Sequence, residues 1–167
     1  MKEKLAVGRI VTTHGLRGEV KVKSFSGETE HFRGITEIEI RGKTGVFTKR
    51  IESMKFTGKG VILKIEGFDT VTEAQKITGG TLWAERMYCA PLGENEYYTA
   101  DLCGCRVTCR GKQYGTVVHV VAGIQADLLE VEGGDGTYRY LPCMDVFIAK
   151  LDLEEMNIEL RDDWIMQ

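Results

Sequence analysis

Glu96-Tyr97-Tyr98-Thr99-Ala100-Asp101-Leu102-Cys103-Gly104 divides the chain into two halves of similar character. The segment before it carries Pro91 and Gly93, and strand-like sequence resumes after it. Proline removes a backbone donor and glycine frees the backbone, so that segment reads as a linker. One domain is expected over residues 1–86, a linker over 87–96 and a second domain over 97–167. The paired tyrosines stand where the second domain opens. Tyrosine joins a large, stiff ring to a polar tip, which suits a binding face. If the pair begins a strand, its rings point to opposite faces, one toward the core and one outward.

The same two-residue period recurs on both sides of this junction. Val20 and Val22 alternate with Glu19, Lys21 and Lys23, and Ile38 and Ile40 with Glu37, Glu39 and Arg41. Val61, Leu63 and Ile65 share one face, with Lys64 and Glu66 on the other. Met156, Ile158 and Leu160 alternate with Asn157, Glu159 and Arg161. This is the pattern of antiparallel strands with one wet face. In the second half, strands are expected over 105–110, 113–122, 127–132, 137–141 and 146–153. Gly111-Lys112 and Gly133-Gly134-Asp135-Gly136 supply turns between them. Short strands joined by glycine turns favour small β-barrels, which leave no bare edge.

One segment departs from this period. Thr70-Val71-Thr72-Glu73 fits a capping box, in which Thr70 and Glu73 satisfy each other's backbone donors. Val71, Ala74 and Ile77 then lie on one helical face, and Gly79 stops the helix. Leu82 and Trp83 begin the last strand of the first half. The expected fold is mainly β, with two small antiparallel barrels and one short helix in the first.

The hydrophobic fraction of 43% and charged fraction of 28% are those of a globular protein. Apolar runs extend only a few residues, against the roughly 20 that a membrane-spanning helix needs. No secretory leader pattern opens the chain, so a cytoplasmic location and no membrane partner are expected. Cys89, Cys103, Cys105, Cys109 and Cys143 are odd in number, and the cytosol disfavours disulfides. The C-x-C-x3-C spacing of Cys103, Cys105 and Cys109 lacks the paired knuckles of structural zinc. These thiols are expected to act mainly as small buried hydrophobes, without a metal or cofactor.

Charge divides with the chain. Residues 1–86 hold 16 Lys+Arg against 11 Asp+Glu, and residues 87–167 hold 6 against 14. A basic half suits phosphate and an acidic half suits a basic protein. Thr13-His14-Gly15-Leu16-Arg17-Gly18-Glu19 joins the first two strands of the basic half. Gly15 and Gly18 permit a tight loop that frames His14 and Arg17 for contact with RNA phosphate. The alternative is a plain strand connection with solvated side chains. Nothing here is a P-loop, a G-x-S-x-G or an H-E-x-x-H. His14, His31 and His119 are the imidazoles at hand: His31 reads as exposed and His119 as a strand residue. No catalytic constellation forms from these, and no enzyme activity is expected.

With these residues in place, the chain resembles the bacterial ribosome maturation factor RimM family. Val7-Gly8-Arg9-Ile10-Val11 followed by Thr13 through Val22 is similar to the opening signature of that family. Tyr97-Tyr98 with Asp101-Leu102 and Gly104 resembles the start of its PRC-barrel domain. Gly115-Thr116-Val117, Asp127-Leu128-Leu129-Glu130-Val131 and Leu141-Pro142 follow in the family's order. The resemblance implies an elongation-factor-like N-terminal barrel and a C-terminal PRC barrel. It also implies an assembly factor that binds the immature small ribosomal subunit and its rRNA. Maturation of the head, the 3′ domain of 16S rRNA, would then proceed through contact with small-subunit ribosomal protein nineteen. By the same resemblance, Tyr97, Tyr98 and Asp101 are partner-binding candidates, and His14, Gly15, Arg17 and Gly18 are ribosome-contact candidates. A monomer is expected. A general RNA-binding translation factor is the alternative reading, followed by a metal-dependent enzyme.

Overall fold

The computed structural model describes residues 3–93 and 96–167. The chain divides into two units between Pro91 and Leu92. In the first unit the alternating segments become β1 (Lys4–His14), β2 (Glu19–Ser24), β3 (Glu37–Gly42), β4 (Gly45–Thr57), β5 (Gly60–Ile65) and β6 (Thr81–Glu85). They close into a barrel in the order β1-β2-β5-β4-β3-β6, with β6 returning to β1. Every pairing is antiparallel. The inward set Val20, Val22, Ile38, Ile40, Val61, Leu63 and Ile65 forms one core. Each such side chain, fully buried, stabilises the fold by about 1.5–3 kcal/mol relative to exposure.

Two insertions complete that core. The 3-10 turn Glu30–Gly34 contributes Phe32, and the helix α1 (Val71–Ile77) contributes Ala74 and Ile77. The capping box forms at α1. Glu73 N donates to Thr70 Oγ1 at 3.2 Å, while Asp69 N and Thr70 N donate to Glu73 Oε2 at 2.8 and 3.1 Å. These donors, Asp69 N foremost, hold the Glu73 carboxyl below its usual range. His31, expected in solvent, is half-buried against Phe32, with ring centroids 4.6 Å apart. Its buried Nδ1 meets no hydrogen-bond partner among the described residues. The 3-10 turn that carries Phe32 inward draws its neighbour with it. Within the stretch read as a linker, Tyr88 and Cys89 pack against the first core.

The second unit holds β7 (Arg106–Cys109), β8 (Lys112–Val121), β9 (Leu128–Glu132), β10 (Tyr138–Pro142), β11 (Ile148–Asp152) and β12 (Asn157–Leu160). Their order in the sheet is β10-β9-β8-β7-β12-β11. All pairs are antiparallel except β12 with β7, which is parallel. Alternation alone does not distinguish the two, since a parallel neighbour with one wet face shows the same period. Leu102, Val107, Val117, Leu129, Val131, Leu141, Ile158 and Leu160 build the core, and Met166 joins them. Met166 lies on the C-terminal 3-10 turn Trp164–Met166, which packs beside β10.

Several expected strand residues lie in turns, Arg110, Val146, Phe147, Leu153 and Met156 among them. Met156 adopts φ 50° at the end of the connection from β11 to β12. Asp152 Oδ1 seeds that turn by accepting from Glu155 N at 3.1 Å. Val146 is exposed within a turn closed by Phe147 N and Ile148 N, both donating to Met144 O. Cys105 and Cys109 are buried in the core.

Candidate functional site

The candidate residues fall on two loops, one in each unit. In the first, Gly15–Gly18 connect β1 to β2, whose last pair is His14 opposite Glu19. Gly15 and Gly18 have φ of 63° and 71°, in the left-handed region that favours glycine. A Cβ on Gly18 would stand 2.0 Å from Phe68 O, so the loop lies directly on the backbone that leads into α1. Gly18 is buried, whereas His14, Gly15, Leu16 and Arg17 are exposed. Glu19 accepts from Lys55 Nζ at 3.2 Å, and that bond lowers its pKa. Arg17 makes no ion pair among the described residues. The exposure of Leu16, at 87%, was missed from sequence. Its signal was present: a leucine between two left-handed glycines has no strand face on which to hide.

Beside this loop, Arg9 and Lys23 stand opposite one another on β1 and β2, followed by Thr12 opposite Lys21. Arg9 donates to Gly79 O at 3.1 Å. Among the described residues, Arg9, Lys21 and Lys23 pair with no carboxylate. The outer surface of β1–β2 therefore carries uncompensated positive charge.

In the second unit the tyrosine pair does not begin a strand. Tyr97 and Tyr98 precede the single helical turn α2 (Thr99–Leu102), for which Tyr98 is the N-cap residue. Asp101 N donates to Tyr98 O at 2.8 Å, closing the turn. Strand alternation thus does not apply, and both tyrosines are half-buried. Tyr97 packs against the second core. Its Oη shares a hydrogen bond of 3.1 Å with Cys143 Sγ. Burial, reinforced by that bond, pushes the Tyr97 phenol far above its usual range. Cys143 is itself fixed by its N–H donating to Asp127 O at 2.8 Å. Burial raises the Cys143 thiol as well.

Asp101, the third candidate, is only 2% exposed, so it lies beneath the turn and not on its surface. Cys105 Sγ donates to Asp101 O at 3.5 Å, and Gly104 N donates to Val117 O at 2.7 Å. These bonds hold the turn on the end of the sheet. Asp101 is therefore a buried member of the turn that follows the tyrosines. Among the described residues no group of three or more His, Cys, Asp or Glu is placed to hold a metal ion. No helix among them is long and apolar enough to cross a membrane.

A second surface feature was also missed from sequence. Tyr138 and Tyr140, read only as part of a strand, are both exposed. Their signal was the facing of Tyr-Arg-Tyr and Glu-Val-Glu across the glycine turn.

A closed barrel with a glycine-framed loop, followed by a smaller sheet capped by a tyrosine turn, defines a protein of two β domains in tandem. The RimM N-terminal domain matches residues 5–87 and the RimM PRC barrel domain matches residues 99–166. The chain belongs to the RimM family. It is 36% identical to the ribosome maturation factor RimM of Treponema denticola, over 98% of each chain. Identity to the RimM of Clostridium botulinum is 33%, over 96% of this chain and 95% of the relative. The solution structure of the N-terminal domain of RimM from Thermus thermophilus aligns with a TM-score of 0.45 at 18% identity. That alignment covers 54% of this chain and 98% of the domain.

Proposed function

We propose that this protein is a ribosome maturation factor that binds the immature small subunit and assists assembly of its head. The observation that carries this is the full-length relationship to proteins of that name, with both family domains present in order. The second unit takes small-subunit ribosomal protein nineteen through the surface around Tyr97 and Tyr98, with Asp101 buried in the turn that follows them. The first unit lies toward 16S rRNA, with His14, Gly15 and Arg17 presented on a loop that Gly18 anchors. The division of charge supports this assignment: unpaired cations on β1–β2 suit phosphate, and an acidic second half suits a basic ribosomal protein. The protein works in the cytoplasm as a monomer, and its role is binding without catalysis. Two modest contacts on one chain reinforce each other through effective concentration.

The test separates the two tyrosines. Tyr98→Ala leaves the Tyr97–Cys143 contact in place, and Tyr97→Phe removes only the hydroxyl. Co-sedimentation with precursor small subunits is expected to fall about tenfold for Tyr98→Ala, the range of an interface aromatic. Tyr97→Phe is expected to bind nearly as well as wild type. Full binding by a folded Tyr98→Ala variant would remove the tyrosine turn from the interface. A general RNA-binding factor would instead bind naked 16S rRNA tightly, with steep salt dependence, and without need of the ribosomal protein.

A further inference from the structure

Tyr138 and Tyr140 sit on β10, at one edge of the second sheet, with 55% and 52% exposure. Across the ladder, Tyr138 stands opposite Glu132 and Tyr140 opposite Glu130. Each phenol donates to its own glutamate, at 3.2 and 2.8 Å. Those bonds are the main reason both phenols are raised above their usual range. On β8, Thr116 aligns with Glu132 and His119 with Glu130, and Val118 is exposed beside them. The outer face is therefore two parallel rows, each with a ring beside a carboxylate. Among the described residues no lysine or arginine pairs with Glu130 or Glu132.

A ring fixed beside an anion matches the two faces of a guanidinium, which stacks on aromatics and donates its N–H groups to carboxylate. The two rows lie about 7 Å apart, the spacing of alternate side chains along an extended strand. Resting on the reading of the second unit as the protein-binding half, we propose that the outer face of β8–β9–β10 docks an extended basic polypeptide segment. Two arginines, two residues apart, occupy it: one over Tyr138 and Glu132, the other over Tyr140 and Glu130. Charge selects this class of partner, because residues 87–167 hold 14 Asp+Glu against 6 Lys+Arg. Nucleic acid would bring its phosphates against both carboxylates.

The experiment uses the full chain and its E130Q/E132Q double variant. Glutamine removes both charges yet leaves an acceptor for each tyrosine hydroxyl, and thermal unfolding checks that the fold is kept. Affinity for purified ribosomal protein nineteen is measured across a salt series. In parallel, amide shifts are followed on adding a peptide with two arginines separated by one threonine and flanked by threonines. The double variant is expected to bind the ribosomal protein about tenfold more weakly, with a shallower salt dependence. The peptide is expected to shift the amides of residues 130, 132, 138 and 140 in the wild type only. Equal affinity and equal salt dependence for both proteins would overturn the face while leaving the reading of the second unit intact. If the wild type fails to bind the ribosomal protein, that reading falls, and the peptide shifts decide the face alone. Shifts at the same amides produced by 16S 3′-domain RNA would also overturn it.

Discussion

His31 shows how one side chain couples the first barrel to pH. Its imidazole is drawn half-inside by Phe32, and desolvation lowers its pKa below the usual 6.5. The folded state therefore binds this proton less readily than the unfolded chain does. Stability contributed by the neutral ring is fully present above pH 6.5 and declines as pH falls through that value toward the lowered pKa. The carboxylates with depressed pKa values, such as Glu39 and Asp163, act lower, starting near their own unfolded values of 4.5 and 3.8. Urea unfolding between pH 7 and pH 5 is expected to show a falling midpoint in the wild type. A His31→Phe variant is expected to show a flatter profile over the same interval. At this scale the sequence was a poor guide. An acid-flanked histidine after Glu28-Thr29-Glu30 looks solvated, and only the 3-10 turn that inserts Phe32 reveals otherwise.

Among the elements, α1 is the most independent test of local sequence logic. Seven residues are too few to hold a helix alone, so its cap and its two core side chains must carry it. Thr70→Ala removes the acceptor for Glu73 N and one side of the capping box. It is expected to cost about 1 kcal/mol, read as a lower urea midpoint for the first unit. This helix was legible beforehand because Thr70, Glu73, Ala74 and Ile77 state cap and face within one short window. The strands were legible for the same reason, since each alternating run states its own inner face. What escaped were features fixed by distant partners. The tyrosine pair leaves the strand pattern because Asp101 N closes a turn on Tyr98 O, and the burial of Asp101, a partner-binding candidate, has no local signal in the sequence. The Tyr97–Cys143 contact joins residues 46 positions apart, beyond any local pattern. The docking face of β8–β9–β10 likewise appears only once β9 and β10 are in register.

Across the whole molecule, two units of opposite charge balance lie on one chain, and the second has the more demanding topology. β12 is inserted between β7 and β11, so the strand formed last in sequence has neighbours on both sides. Its parallel pairing sets Ile158 beside Val107, and Met166 seals the same core. A chain truncated after Leu153 is expected to keep the thermal transition of the first barrel and to lose that of the second unit. Survival of both transitions would mean that β12 is dispensable to that core. The consequence concerns timing during synthesis. The first barrel has all its strands once Glu85 has emerged, whereas β7 waits about 50 residues for its second neighbour, a separation that slows pairing. A half-made polypeptide thus already presents its basic end, while the acidic face and the tyrosine turn mature only after nearly everything has been translated. Vectorial synthesis therefore orders the completion of the two surfaces, the basic one first and the acidic one second.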